Sequence, residues 1–91
     1  MKKEELQHFL LVTYSIAEKK QHEKVRIIRE LFGYSETKDK KTYKHKGQIT
    51  KWYGKKLGPG VLLIPAGFGL QVSTYMQNNK IQITIQEIWM E

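Results

Sequence analysis

Residues 80–90, KIQITIQEIWM, alternate apolar and polar side chains more regularly than any other part of the chain. A period of two is typical of a β-strand with one buried and one exposed face. The apolar set is Ile81, Ile83 and Ile85, and the polar set is Gln82, Thr84 and Gln86. We therefore predict a strand whose polar set faces away from the core, which argues against a large apolar dimer patch there.

The alternation breaks down at the end of this strand. Ile88 and Trp89 are both apolar, and a β-bulge near Glu87 would explain the change of parity. Trp89 is interpreted as an anchor that packs the last strand on the core, and an exposed contact for a partner subunit is the alternative.

Two shorter apolar runs, HFLLVTYSI (8–16) and VLLIP (61–65), also indicate strands. The first is rich in β-branched, aromatic and aliphatic residues and is too short for a good helix. The second is fully apolar and is closed by Pro65. Because these are the most continuously apolar runs of the chain, we expect both strands at the centre of a sheet.

Two segments show the helical spacing of apolar residues. The first, 17–32, begins after Ser15, which has the spacing of a capping box with Glu18, and it stops before Gly33. The second covers residues 66–79. Their apolar faces are Val25, Ile28, Leu31 and Phe32 in the first helix and Phe68, Val72, Tyr75 and Met76 in the second.

The middle of the chain gives weaker signals. Residues 34–41 are polar and turn-like, whereas KTYKHKG (41–47) alternates as a half-exposed strand does. Residues 48–60 would form either one helical turn around Ile49, Trp52 and Tyr53 or an irregular loop that ends in the breaker LGPG.

The resulting order, strand-helix-strand-strand-helix-strand, predicts the fold class. Two right-handed βαβ crossovers interleave as βαββαβ, an α+β ferredoxin-like plan with a four-stranded antiparallel sheet and two helices on one face. We expect a single domain over residues 1–91, with the basic segment 38–56 between strands two and three. The helix-free face of the sheet would be exposed to solvent, used for self-association or used for binding.

The opening strand and helix resemble those of a known family. LLVTYSI (10–16), followed at once by a helix rich in Lys and Arg, is similar to the start of the Cas2-like ferredoxin-fold small proteins. The resemblance covers the first third of the chain and implies a shared fold and a leaning toward nucleic acid. That family places a metal-binding, nuclease-linked aspartate where this chain has Ser15, so the resemblance does not imply cleavage.

All of the net charge of +7 comes from residues 38–56, which hold eight lysines and one acid, Asp39. A block of like charges repels itself unless a counter-charge is near, so it often marks an anionic partner. The predicted nucleic-acid-binding residues are Lys41, Tyr43, Lys44, His45, Lys46, Lys51, Trp52, Tyr53, Lys55 and Lys56. Lysines neutralise phosphates, and aromatic rings stack on unpaired bases.

The same segment holds no arginine, the residue that most often reads bases, so we expect backbone-dominated recognition with RNA favoured over DNA. We predict that at least one aromatic ring is exposed beside one connected basic patch, made of Lys44, Lys46, Lys51, Lys55 and Lys56. A solvated lysine loop whose rings complete the core, and a different acidic partner, are the alternatives. GKKLGPG (54–60) lacks the full phosphate-loop pattern and is interpreted as a flexible turn.

Catalytic patterns are missing from the sequence. The histidines at 8, 22 and 45 are not at metal-ligand spacing, the chain has no cysteine, and Ser15 suits a helix cap better than a nucleophile. We therefore predict no catalytic residue, no metal and no cofactor, and a metal-dependent nuclease is disfavoured by the missing carboxylates. With no apolar run near the roughly 18 residues of a membrane span, we expect a soluble, cytoplasmic protein with no membrane partner.

We thus interpret the chain as a non-catalytic protein that binds RNA or DNA, alone or as a small subunit of a larger ribonucleoprotein assembly. A homodimer is compatible with this interpretation. The alternative is a protein-interaction or oligomerisation module with no nucleic-acid role, pairing through an edge strand or the polar sheet face.

Overall fold

Six strands and three helices are present in the computed structural model, which describes residues 6–90. The elements are β1 (Gln7–Ser15), α1 (Gln21–Phe32), β2 (Tyr34–Lys38), β3 (Lys41–His45), α2 (Gln48–Lys51), β4 (Lys55–Gly58), β5 (Val61–Pro65), α3 (Gly69–Asn78) and β6 (Gln82–Met90). A 3₁₀ turn, Ala66–Phe68, leads into α3. Within this range no helix combines the length and the apolar character that a membrane crossing requires.

Four strands form an antiparallel sheet in the order β4-β5-β1-β6. The predicted α+β class with a four-stranded antiparallel sheet is confirmed, and β1 and β5 lie at its centre as expected. One face of the sheet packs against the helices in a single apolar cluster. Its buried residues are Leu10, Val12, Tyr14, Ile27, Leu31, Ile49, Trp52, Leu62, Ile64, Val72, Met76 and Ile81.

The strand at residues 41–45 is present, but it does not belong to the sheet. It pairs instead with β2, a segment predicted to be turn-like, and the two form a separate hairpin. The turn between them, Asp39-Lys40, has positive φ at both residues (50° and 67°), the conformation of a tight two-residue hairpin turn. The fourth place in the sheet, at its edge, is taken by β4, which was predicted to be an irregular turn.

The hairpin joins the rest of the described chain, which we call the body, at two glycines that face each other. We call this junction, Gly33 and Gly47, the neck. Gly33 has a φ of 79°, and a Cβ at this residue would clash with the backbone of His45 and Gly47. A Cβ on Gly47 would in turn clash with the backbone of Leu31, Phe32 and Gly33. The chain can therefore leave and re-enter the body at one narrow neck only because both residues lack side chains.

The first helix begins later than predicted, and the capping box is wrong. Ser15 is still part of β1, where it pairs with Gln82, and its Oγ accepts a 3.4 Å hydrogen bond from the Ala17 N–H. Strand pairing holds Ser15 in the sheet, so the chain needs a turn before α1 can start after Lys20. The buried stripe of α1 is also different: Ile27 and Leu31 are buried. Of the predicted face, Val25 and Ile28 are exposed.

The last strand is confirmed, without the predicted bulge. β1 and β6 pair in one unbroken register from Gln7 opposite Met90 to Ser15 opposite Gln82. The polar set of β6 is exposed on the helix-free face, as predicted. Trp89 is 61% exposed and stacks on His8, with ring centroids 4.0 Å apart, so it is not an anchor in the core.

Polar contacts tie α1 to α3 at the edge of the core. Glu30 accepts a 2.8 Å hydrogen bond from the Tyr75 hydroxyl and pairs with Arg26 at 3.1 Å. Arg26 also donates to Asn79 Oδ1, and Lys19 Nζ donates to the backbone oxygen of Asn79 at the end of α3. Burial, the Glu30 hydrogen bond and the Glu30 charge together raise the pKa of Tyr75 above its ordinary value of 10.0.

Candidate nucleic-acid interface

Nine of the ten predicted binding residues are exposed, and they lie on three neighbouring elements. The hairpin carries Lys41, Tyr43, Lys44 and His45, the segment around α2 carries Lys46, Lys51, Trp52 and Tyr53, and β4 carries Lys55 and Lys56. The hairpin contributes no residue to the hydrophobic core. Its side chains are therefore free of the packing constraints that fix the body.

The two faces of the hairpin differ in chemistry. Directly opposed residues share a face, so the register of β2 and β3 assigns each side chain. One face, which we call the aromatic face, consists of Tyr34, Glu36, Lys38, Lys41, Tyr43 and His45. The other consists of Ser35, Thr37, Thr42 and Lys44. The rings and most of the charges are thus concentrated on one side.

A stack of planar groups runs from α1 onto the aromatic face. The rings of Tyr34 and His45 are 4.4 Å apart and nearly parallel, and the Arg29 guanidinium lies 5.2 Å above the Tyr34 ring. Arg29 and Tyr34 were not predicted as site residues. Only the register of the hairpin brings Tyr34 against His45, and this register depends on the Asp39-Lys40 turn.

Tyr43 is the next ring along the aromatic face and is 48% exposed. The residue opposite it is Glu36, whose Oε2 lies 3.8 Å from His45 Nε2 and 4.0 Å from Lys38 Nζ. Of these two neighbours, Lys38 places a positive charge beside the carboxylate.

A second basic region surrounds Phe32 at the base of the hairpin. Lys56 Nζ lies 5.0 Å above the Phe32 ring, and Lys44 and Lys46 line the hollow between Phe32 and the hairpin. We call Phe32, Lys44, Lys46 and Lys56 the basic groove. Lys44 belongs to β3, Lys46 follows that strand and Lys56 belongs to β4, and Phe32 is the residue beside which all three lie.

The remaining predicted residues are more dispersed than expected, and the prediction of one connected patch is wrong for Lys55. Lys55 is opposite Leu63 and Lys56 is opposite Leu62, so the two neighbours point to opposite faces of the sheet. Lys51 is the last residue of α2. Tyr53 is 77% exposed, with a positive φ of 56°, and its ring lies 5.6 Å from that of Phe68, beside the start of α3.

Trp52 is not available for base stacking. It is only 5% exposed, and its ring meets that of Tyr75 edge-on at 5.8 Å. The α2 turn places Ile49 and Trp52 on one face, three residues apart, and both enter the core. The prediction for this residue fails because a one-turn helix beside a sheet must bury its apolar side.

Other kinds of site have less support. Among residues 6–90, no three His, Asp or Glu side chains converge so that they could hold a metal ion. Ser15 lines a hollow with Glu18, Lys19 and Glu23, and its Oγ is engaged by the Ala17 N–H. Comparison of the chain with protein-family models, with curated proteins and with solved structures gave no match.

Proposed function

We propose that the protein binds RNA, or less favourably DNA, without catalysis, using the aromatic face of the hairpin and the basic groove. The observation that carries this proposal is a hairpin that adds nothing to the core yet exposes every residue of β3, including a tyrosine, a histidine and two lysines. A segment that only connected two elements would not need this arrangement of rings and charges.

Phosphate binding is supported by the basic groove. Lysine ammonium groups neutralise phosphates one by one, and each contact releases counter-ions, which makes the affinity salt-dependent. Lys44 and Lys46 line the hollow beside Phe32, Lys56 lies over the Phe32 ring, and all three lysines are exposed. A nucleic-acid backbone that passes along Phe32 would meet these positive charges.

Base contacts are supported by the aromatic face. His45 and Tyr43 are two residues apart on one strand, about 6.6 Å, which leaves room for a base against either ring. The sequence segment contains no arginine, but the fold supplies one, because Arg29 lies over Tyr34. Arginine and aromatic planes are the groups on which unpaired RNA bases stack, and they favour single strands over duplexes.

We also propose that the body is a variant of the ferredoxin-like plan. The order β6-β1-β5-β4 is that of a βαββαβ sheet if β4 is counted as its second strand. The hairpin is then an insertion between α1 and this edge strand. The resemblance to Cas2-like proteins is a further argument for binding to nucleic acid. It does not imply nuclease activity, because Ser15 stands in place of the aspartate of that family.

The test is a binding titration with fluorescently labelled RNA and DNA pools, each single-stranded and duplex, at several salt concentrations. We expect Lys44→Ala/Lys46→Ala/Lys56→Ala to weaken binding and to make the salt slope shallower by roughly 0.7 unit per lost phosphate contact on single strands. Lys55→Ala is the matched control, because Lys55 points to the other face of the sheet.

The aromatic arm of the experiment compares two exposed tyrosines. Tyr43→Ala should cost roughly 1–3 kcal/mol of binding to single strands and less to duplexes. Tyr53→Ala removes a more exposed ring outside the hairpin and should leave binding unchanged. Absence of binding at low salt, or equal effects of the two tyrosine variants, would refute the proposal and favour the protein-interaction module.

A further inference from the structure

The two edges of the sheet are protected very differently. β4 is four residues long, carries Lys55 and Lys56 and has an irregular register before Gly58, all of which hinder pairing with another strand. β6 is nine residues long, pairs without interruption on its β1 side, and contains one charged residue, Glu87. Within residues 6–90 its outer side pairs with no strand.

Three exposed large apolar side chains lie on the same strand. Ile85 is 38% exposed, Trp89 61% and Met90 41%. Ile85 lies beside Val12, which is fully buried, so at this position the helices cover β1 but not β6. A strand added beside β6 would cover Ile85 and also satisfy the outward backbone N–H and C=O groups.

We propose that β6 pairs antiparallel with β6 of a second copy of this chain, about a two-fold axis, to give one continuous eight-stranded sheet. The inference does not depend on nucleic-acid binding. The partner is a β-strand because the outer edge of β6 presents a row of backbone N–H and C=O groups, which another strand can pair with, and not a concave pocket.

The sequence of β6 suits pairing with itself. A two-fold axis perpendicular to the sheet keeps each face continuous, so opposed residues have numbers of the same parity. With the axis at Ile85, Ile85 lies opposite its own copy, and Glu87 lies opposite Ile83 and not opposite its own copy. Like charges therefore do not meet, and apolar side chains of the two copies cover each other.

The excess positive charge does not oppose this dimer. Lys56 of β4 lies over Phe32, so the basic groove is at the β4 side of the sheet. Across eight strands the two β4 edges would be separated by about seven spacings, or about 34 Å. This is several times the Debye length of about 8 Å at physiological salt, so repulsion between the basic regions is screened.

The test measures molar mass by sedimentation from about 1 µM to about 1 mM, the range expected for a small interface. We expect the mass to rise from the 10.8 kDa of one chain to twice that value. Ile85→Lys should raise the dissociation constant of the dimer about tenfold or more, because the ammonium groups of the two copies then lie opposite each other. Leu57→Lys is the matched control, an exposed leucine on the β4 edge, and should dimerise like the wild type.

Hydrogen exchange of the wild-type protein gives a second readout that needs no variant. Alternate amides of β6, those whose N–H points outward, should exchange more slowly as the protein concentration rises. A protein that stays monomeric over the whole concentration range overturns the proposal. A dimer whose β6 amides exchange at an unchanged rate also overturns it, because that dimer would use another surface.

Discussion

The body and the hairpin follow opposite rules. The body buries Val12, Ile27, Leu31, Leu62, Ile64 and Val72 completely and places no charged group among its buried residues within the described chain. The hairpin has no fully buried residue: its strand β3 is exposed at all five residues and lies within the charge-bearing segment 38–56. The difference teaches that this small chain separates the residues that stabilise it from those that are available to a partner.

The largest effect should come from a cavity in the body. Leu62 is fully buried on central strand β5, and Leu62→Ala should cost about 2–5 kcal/mol of unfolding free energy because it loses apolar burial and leaves a void. Urea unfolding followed by circular dichroism measures the loss. Binding to nucleic acid, measured where the variant is still folded, should be unchanged.

The matched change in the hairpin is Tyr43→Ala. Tyr43 belongs to no buried cluster, so its loss should change the unfolding free energy by no more than about 0.5 kcal/mol. If Tyr43→Ala destabilises the protein as much as Leu62→Ala does, the hairpin is part of the cooperative core. The contrast between the two regions would then fail.

The second prediction tests the neck that joins the two regions. Gly47→Ala should cost about 1–3 kcal/mol, because the new Cβ meets the backbone of Leu31, Phe32 and Gly33, which must move. Gly58→Ala is the control, since a Cβ at Gly58 meets nothing within 4 Å. Equal thermal unfolding midpoints for the two variants would show that the neck is not tightly packed.

The sequence predicted the body much better than the hairpin, for a physical reason. β1, β5, β6 and α3 each bury one side or both, and this burial imposes the apolar periodicity that a sequence displays. The half-buried side of β2 consists of Tyr34 and the charged Glu36, so this strand showed no apolar pattern and was predicted to be a turn. The start of α1 was missed because the pairing of Ser15 with Gln82 is a tertiary contact that overrides a local capping signal.

The candidate site was predictable in its charge but not in its geometry. The lysine block is visible in composition, whereas the opposite directions of Lys55 and Lys56 depend on a strand, β4, that the sequence did not indicate. Trp52 was predicted as a binding residue because it is an aromatic residue within the lysine-rich segment, yet the α2 turn buries it. Arg29 joins the site only through its stack on Tyr34, which no local pattern encodes.

The last predicted loss of stability concerns a polar contact of the body. The Tyr75 hydroxyl donates to Glu30 at 2.8 Å, and Tyr75→Phe should cost about 1 kcal/mol near neutral pH, typical of one hydrogen bond. The folded-state pKa of Tyr75 lies above the ordinary value of 10.0, so the phenol stabilises the fold below pH 10. As the pH rises past 10, the unfolded state loses this proton first, and the contribution is lost.

Unfolding free energies at pH 7 and above pH 10 test this prediction in wild type and Tyr75→Phe. The stability difference between the two proteins should shrink at the higher pH, while other tyrosines and lysines titrate equally in both. Tyr53→Phe, which alters an exposed hydroxyl, is the control and should show no difference at either pH. A difference for Tyr75→Phe that stays constant with pH would mean that Glu30 does not engage the hydroxyl. The polar contacts between α1 and α3 would then add no stability through this pair, and the body would depend on its apolar packing and its remaining polar contacts.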